Sequence, residues 1–232
     1  MNVVEIKVLS THAVMEVLSG LGSPFKCTSG YGLSVAYEPA KVIKRQIDDG
    51  TAFDVAIVTR PVIDDLAMQG AILSDSRVDI GCSGLGMAVR KGAPKPSIGT
   101  TEGFKHAVLA AASIVRSKDG TSGLYFEALL ERLGIAQEVR GKIKLGGSGR
   151  IAELVANGEA EIAVQQIPEL LPVAGVDFVG PLPIELQLYT TFSAGIGSAC
   201  KELEAAKTFV NSLTEPSAVL VFQANGFEPV DR

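Results

Sequence analysis

Cysteine is scarce in this chain of 232 residues: Cys27, Cys82 and Cys200 are odd in number and too far apart for a disulfide framework or for zinc spacing. They read as free thiols, and unpaired cysteines fit a reducing cytosol better than an oxidising compartment. No stretch approaches the roughly 20 apolar residues that a membrane helix requires. The opening MNVVEIKVLS has no basic segment followed by an apolar one. The expectation is no membrane insertion and, for the chain as written, a cytoplasmic location, with a periplasmic one open if a signal peptide has been removed. Basic blocks are missing too. The 21 Lys and Arg are interleaved with 26 Asp and Glu for a net charge of -5, which excludes the electrostatic footprint of a nucleic-acid binder. Of the two histidines, His106 falls inside a predicted helix and reads as structural. No Ser/His/Asp order, paired-carboxylate pattern or metal motif stands out, and neither GxxxxGK[ST] nor GxGxxG occurs, so no nucleotide, cofactor or metal is expected.

Apolar residues, in contrast, are plentiful at 47%, against 20% charged, enough to bury a core in one large domain or two small ones. Short apolar runs alternate with helical patterns from end to end, the signature of βαβ units and mostly parallel sheet. The spacing predicts strands at Ile6–Leu9, Leu33–Tyr37, Val55–Val58, Ser113–Arg116 and Ile162–Gln165. Helices are predicted over Ala13–Leu21, Pro39–Asp49, Thr101–Ala110, Ser122–Leu133, Ser148–Asn157 and Glu202–Leu213, with Pro39 suited to a first helical position and Gly50, Gly134 and Gly158 to C-terminal caps. Two longer segments, Val78–Arg90 and Leu186–Ile196, read as crossovers between lobes. The first lobe is then discontinuous, residues 1–84 with 196–232, and the second is 85–195, a hinged arrangement that closes on a ligand.

In parallel α/β sheets the ligand lies beyond the carboxyl ends of the strands. The loops there carry Ser10, Thr11 and His12; Thr59 and Arg60; Thr121, Ser122 and Gly123; Ser148, Gly149 and Arg150; Gln165 ends a predicted strand. Hydroxyls and exposed amide groups at helix starts can hold an oxyanion without a metal. Any one of these loops alone reads as an ordinary helix cap, so the case rests on their number. Arg60 and Arg150 are the charges suited to gripping a carboxylate in bidentate fashion, the alternative being a solvated surface. His12 and Glu38, both at strand ends, are the candidate proton carriers if the chain is an enzyme.

Three segments resemble the molybdate-binding family of bacterial ABC transporters. KVIKRQIDDGTAFDVAIVTRP resembles the family's ARQI helix, acidic glycine turn and ADV strand. GLYFEALLERLGI and RIAELVANGEAEIAVQQ are similar to GRYAxEALEKLGL and ALAxVxxGEADAGIVY. The C-terminal EPSAVLVFQANGFEPV is similar to SPEAQAIFxxxGFxP. The resemblance implies a type II periplasmic-binding-protein fold of class α/β, two βαβ lobes joined by two crossovers with a ligand cleft between them. It also implies a transport role with a permease partner, and oxyanion contacts at Ser10 or Thr11, Ser122 and Ser148. The family's GSSG serines fall on Glu38, Pro39 and Ala40, and its tyrosine near the second crossover on Phe192. A molybdate-like oxyanion and a small carboxylate both stay open as ligand. So do two other functions on related folds: a carboxylate isomerase similar to aconitate isomerase, and the effector-sensing domain of a transcription regulator, which would need a partner chain because no helix-turn-helix is present.

Overall fold

A strand that is apolar throughout needs cover on both faces, and most short apolar runs of this chain are followed by a helix that supplies part of it. The computed structural model describes residues 4–147 and 149–230. It consists of two compact units, Met1–Cys82 with Thr190–Arg232, and Ser83–Tyr189. The chain runs through β1 (Glu5–Ser10), α1 (Met15–Ser29), β2 (Gly32–Tyr37), α2 (Ala40–Asp48), β3 (Val55–Thr59), α3 (Arg60–Met68) and β4 (Val78–Ser83). The second unit holds β5 (Leu85–Arg90), α4 (Thr101–Ala110), β6 (Ile114–Ser117), α5 (Thr121–Arg132), α6 (Ala136–Arg140) and β7 (Ile143–Gly146). It continues through α7 (Glu153–Ala156), β8 (Ile162–Gln166), α8 (Ile167–Leu170) and β9 (Val176–Pro181). The chain then returns to the first unit with β10 (Thr190–Ile196), α9 (Leu203–Ser212) and α10 (Pro216–Ala224).

Each unit has one five-stranded sheet, ordered β2-β1-β3-β10-β4 in the first and β7-β6-β8-β5-β9 in the second. β1 is parallel to β2 and β3, and β10 runs against β3. In the second unit β6 is parallel to β7 and β8, whereas β5 runs against β8 and β9. Period-two alternation sorts the side chains to two faces. Ile6 and Val8 of β1 and Val55 and Ile57 of β3 pack with Val17, Leu18 and Phe25 of α1 and Phe209 of α9. The intervening Leu9, Ala56 and Val58 pack with Ile43 of α2 and Ile63 and Leu66 of α3. In the second unit Met87, Ile114, Ile162 and Val164 pack with Phe104 of α4 and Phe126 of α5, while Ala88, Val115 and Ala163 pack with Val155 of α7 and Leu170 of α8.

All five expected strands are present, and the expected helices are found with changed limits at two places. α1 runs past Leu21 and through Pro24 to Ser29, because Phe25 is buried edge-on against Phe209, with ring centroids 5.2 Å apart. The helix expected from Ser148 shrinks to Glu153–Ala156, and Ser148 lies outside the described residues. α3 is additional: Thr59, Arg60 and Pro61 do not form an open loop but start a helix, with proline in its first turn. The segment Val78–Arg90 contains two strands of different sheets, β4 and β5. β10 belongs to the first sheet, paired from Phe192 opposite Thr59 to Ile196 opposite Val55, so the second unit ends at Tyr189 rather than at 195.

A polar cluster fixes α3, β4 and β10 together. Arg60 grips Asp79 with Nε to Oδ1 at 3.2 Å and Nη2 to Oδ2 at 2.5 Å, and the Ser193 hydroxyl donates to Oδ1 at 2.6 Å. Arg77 reaches Asp79 at 3.3 Å and Asp64 at 2.5 Å. Burial alone would raise the Asp79 carboxyl, but hydrogen bonds from Ser193 and Arg60 and the charges of Arg77 and Arg60 overcome it and hold the group below its ordinary value. Stability from a depressed carboxyl is fully present above the ordinary value of 3.8 and is lost as pH falls through the folded value. Asp79→Asn is therefore expected to lower unfolding stability at pH 7 by about 1 to 2 kcal/mol, with the gap to the parent closing in acid. Urea titrations at pH 7 and below pH 4 check this, and coincident midpoints at pH 7 would remove the cluster from the account.

Close packing makes a second demand at Gly123 in the first turn of α5. A Cβ there would stand 1.9 Å from the Ser117 carbonyl oxygen, a backbone atom that cannot swing aside, whereas a Cβ on Gly141 meets nothing within 4 Å. Gly123→Ala is expected to destabilise by about 1 to 3 kcal/mol and Gly141→Ala by less than about 0.5 kcal/mol, measured by chemical denaturation. Equal effects at the two positions would contradict the packing argument.

Candidate functional site

Parallel strands bring their carboxyl ends to one edge of a sheet, and each unit collects polar side chains there. In the first unit Ser10 lies opposite Tyr37 of β2 and Ile57 of β3. The β1 end is tied to both neighbours: the Glu38 amide donates to the Ser10 carbonyl at 3.0 Å and the Thr11 amide to the Ile57 carbonyl at 3.3 Å. Ser10 is fully buried, its hydroxyl at 3.5 Å from the Thr11 carbonyl. Thr11 precedes the short 3-10 turn His12–Val14. It is 7% exposed, and its hydroxyl oxygen is buried without a hydrogen-bond partner. The half-buried His12 ring lies 6.1 Å from the Tyr37 ring, tilted by 39°. Burial, and then the Glu16 carboxylate, push the Tyr37 phenol above its ordinary value, so it stays a neutral donor.

The structure thus brings Ser10, Thr11, His12 and Glu38 together at the ends of β1 and β2. Thr59, buried at the end of β3, precedes α3. Arg60 takes another role from the one expected. Its guanidinium is held in bidentate fashion by Asp79, so it acts as a structural tie of its own unit rather than as a free carboxylate clamp.

In the second unit β6, β7 and β8 end at Ser117, Gly146 and Gln166. The Ser117 hydroxyl accepts from the Gly120 amide at 2.9 Å, which folds the loop into the start of α5. There Thr121 is exposed, Ser122 is 3% exposed and Gly123 is buried. Gly149 adopts φ 97°, a left-handed conformation that glycine takes without strain, and Arg150 beside it is half-buried. Gln165 is 1% exposed. Its amide nitrogen donates to the Gly149 carbonyl at 3.0 Å, linking the β8 end to the Gly149 loop, while its Oε1 is buried without a partner. Glu169, at the start of α8, is half-buried, and desolvation pushes its carboxyl up to about 8 against a hydrogen bond with Gln165 that favours the charged form. It is therefore largely protonated at neutral pH.

Residue patterns alone do not single out Tyr37, Ser117 or Glu169. A hydroxyl ending a strand could have drawn attention to Ser117, but the raised carboxyl of Glu169 has no local signal. Among the described residues, the buried side-chain oxygens without a partner, on Thr11 and Gln165, both fall on residues chosen from the sequence. Among the described residues no group of three His, Cys, Asp or Glu could hold a metal ion, and no helix is long and apolar enough to cross a membrane.

The chain is 30% identical to an aconitate isomerase of Pseudomonas sp, covering 98% of this chain and 89% of that protein. Its fold is that of the periplasmic molybdate-binding protein of Azotobacter vinelandii, with TM-score 0.83 at 20% identity over 97% of this chain and 100% of the other. The sulfate-binding protein SubI of Mycobacterium tuberculosis H37Rv is also similar, with TM-score 0.80 at 17% identity, covering 98% and 88% of the two chains. The α/β, type II periplasmic-binding-protein architecture that the sequence resemblance implies is therefore the one found. Residues 6–228 match the family described as bacterial extracellular solute-binding protein, and with the match running over nearly all of its length the chain belongs to that family.

Proposed function

We propose that the protein captures a small anion, through neutral hydrogen-bond donors at the strand ends of its units, and works as the binding component of an ABC transporter. The observation that carries the proposal is the Thr11 hydroxyl, buried at the end of β1 without a partner. A native chain rarely leaves a buried hydroxyl unmatched, and a ligand oxygen is its natural acceptor. The same strand end holds Ser10, and the second unit offers Ser122 at the start of α5, a setting that suits an oxyanion. Support also comes from the names of the molybdate- and sulfate-binding proteins of the same fold. A location outside the cytoplasmic membrane, with a permease as partner, follows from the family name under this reading. Of the two arginines expected from the sequence, Arg150, half-buried beside Gly149 in the second unit, is placed nearest the expected donors there, whereas Arg60 is tied to Asp79.

A second reading is catalysis, favoured by the aconitate isomerase relative. Moving a double bond along a carboxylate needs a group that takes a proton from carbon and returns it nearby. His12 and Glu38 stand at the right strand ends to carry it.

Molybdate, tungstate, sulfate, citrate and aconitate form the test panel, and at least one is expected to raise the melting temperature. Thr11→Val keeps the shape and removes the hydroxyl. It is expected to weaken that anion by about 1.5 to 3 kcal/mol, roughly 10- to 150-fold, without loss of parent stability. A panel that leaves the transition unmoved sinks the anion reading, and a Thr11→Val protein that binds as tightly as the parent removes its main support. Arg150→Ala discriminates further: a loss of about 2 kcal/mol for carboxylates and little for tungstate is the carboxylate outcome. Incubation with trans-aconitate, following cis-aconitate beside His12→Ala and Glu38→Gln, decides between binding and turnover. Turnover abolished by either change with binding kept makes the chain an isomerase.

A further inference from the structure

A charge buried in a strand must be paired, and its partners show what it holds in place. Arg116, the third residue of β6, is 7% exposed. It shares with Ile114 the face of the sheet that packs on Phe126 of α5, since alternate residues of a strand point the same way. Its guanidinium makes two contacts: Nη2 meets the Glu127 carboxylate of α5 at 2.8 Å, and Nη1 donates to the carbonyl of the adjacent Ser117 at 3.1 Å. One side chain thus ties the last residue of β6 to the helix that follows it. The loop between them turns around Ser117. The Ser117 hydroxyl accepts from the Gly120 amide at 2.9 Å, and the Ser117 carbonyl lies so close to Gly123 that no side chain fits there.

We propose that Arg116 is the positioning residue of the second unit's anion donors: it sets the Ser117–Ser122 turn in the geometry in which the Ser122 hydroxyl and the first amides of α5 donate. The proposal rests on the anion reading above and deepens it. An anion at the start of a helix is drawn by the amides of the first turn, which have no partner within the helix, and is repelled by any carbonyl turned toward it. Arg116 acts on both counts. It fixes the turn that carries Ser122, and it keeps the Ser117 carbonyl engaged inside the protein. Buried and engaged at both Nη atoms, the guanidinium acts through the turn rather than by touching the anion.

Calorimetric titration of the whole chain with molybdate, sulfate, citrate and aconitate tests this well below the melting transition, where a loss of stability alone leaves the affinity of the folded protein untouched. Arg116→Met, apolar and without donors, is expected to bind whichever of these anions the parent binds about tenfold more weakly. Arg116→Lys, which keeps the charge but not the two-pronged reach, is expected to fall between. A double-mutant cycle with Ser122→Ala separates positioning from plain structural support: with Arg116 gone, removing the Ser122 hydroxyl costs less affinity than it does in the parent. If Arg116→Met does not fold, Glu127→Ala takes its place, because that carboxylate is largely exposed and its removal frees one end of the guanidinium; it is expected to weaken binding about threefold with the same non-additivity. Parental affinity in the variant, or a Ser122→Ala loss equal in both backgrounds, overturns the inference and leaves the anion reading standing. A parent that binds none of the four anions overturns both.

Discussion

Parallel pairing is the constraint on which the rest depends. A parallel strand cannot follow its neighbour through a tight turn; the chain must cross over and come back, so every crossover leaves from the same edge of the sheet. In the first unit that edge receives the ends of β1, β2 and β3, and in the second those of β6, β7 and β8. The backbone groups at these ends must find partners away from the ladder. Most do so through the next loop, as when the Glu38 amide meets the Ser10 carbonyl and the Gly120 amide meets the Ser117 hydroxyl. Polar side chains gather where the ladder stops, and a few are left over.

The leftovers carry the chemistry. Neutral donors are stable in a buried setting where charges are not, because a buried ion must be paired to offset its desolvation. Asp79 illustrates the rule from the structural side, with Arg60, Arg77 and Ser193 around one carboxylate. Tyr37 and Glu169 illustrate it by holding their protons. The acid at Glu38 sits half-buried directly after the end of β2.

Sheet-forming runs were legible because a short, wholly apolar stretch bounded by turn residues has few other uses; the limits of β3 and β8 are misread by a single residue. What sequence spacing hid was non-local. Arg60 looks like a ligand-side charge until Asp79, remote in sequence, is packed against it. The extension of α1 beyond Pro24 depends on Phe209 from the far end of the chain. β10 reads as a connector because nothing in its own residues tells which sheet it will join. At the strand ends the sequence points to hydroxyls and glycines by type, but which oxygens remain unpartnered is a property of the packed chain.

The sharing of residues between the units has a consequence for biosynthesis. The second unit is one continuous stretch, Ser83–Tyr189, whereas the sheet of the first lacks an interior strand until β10 joins it between β3 and β4. On the ribosome the middle of the chain can assemble as soon as it emerges. The first part must meanwhile wait with the β3 edge unpaired and the apolar face of α1 uncovered by α9. That pairing closes a loop of more than a hundred residues, which makes the first unit the slow step of folding and the first to open when the carboxyl-terminal strand is pulled away.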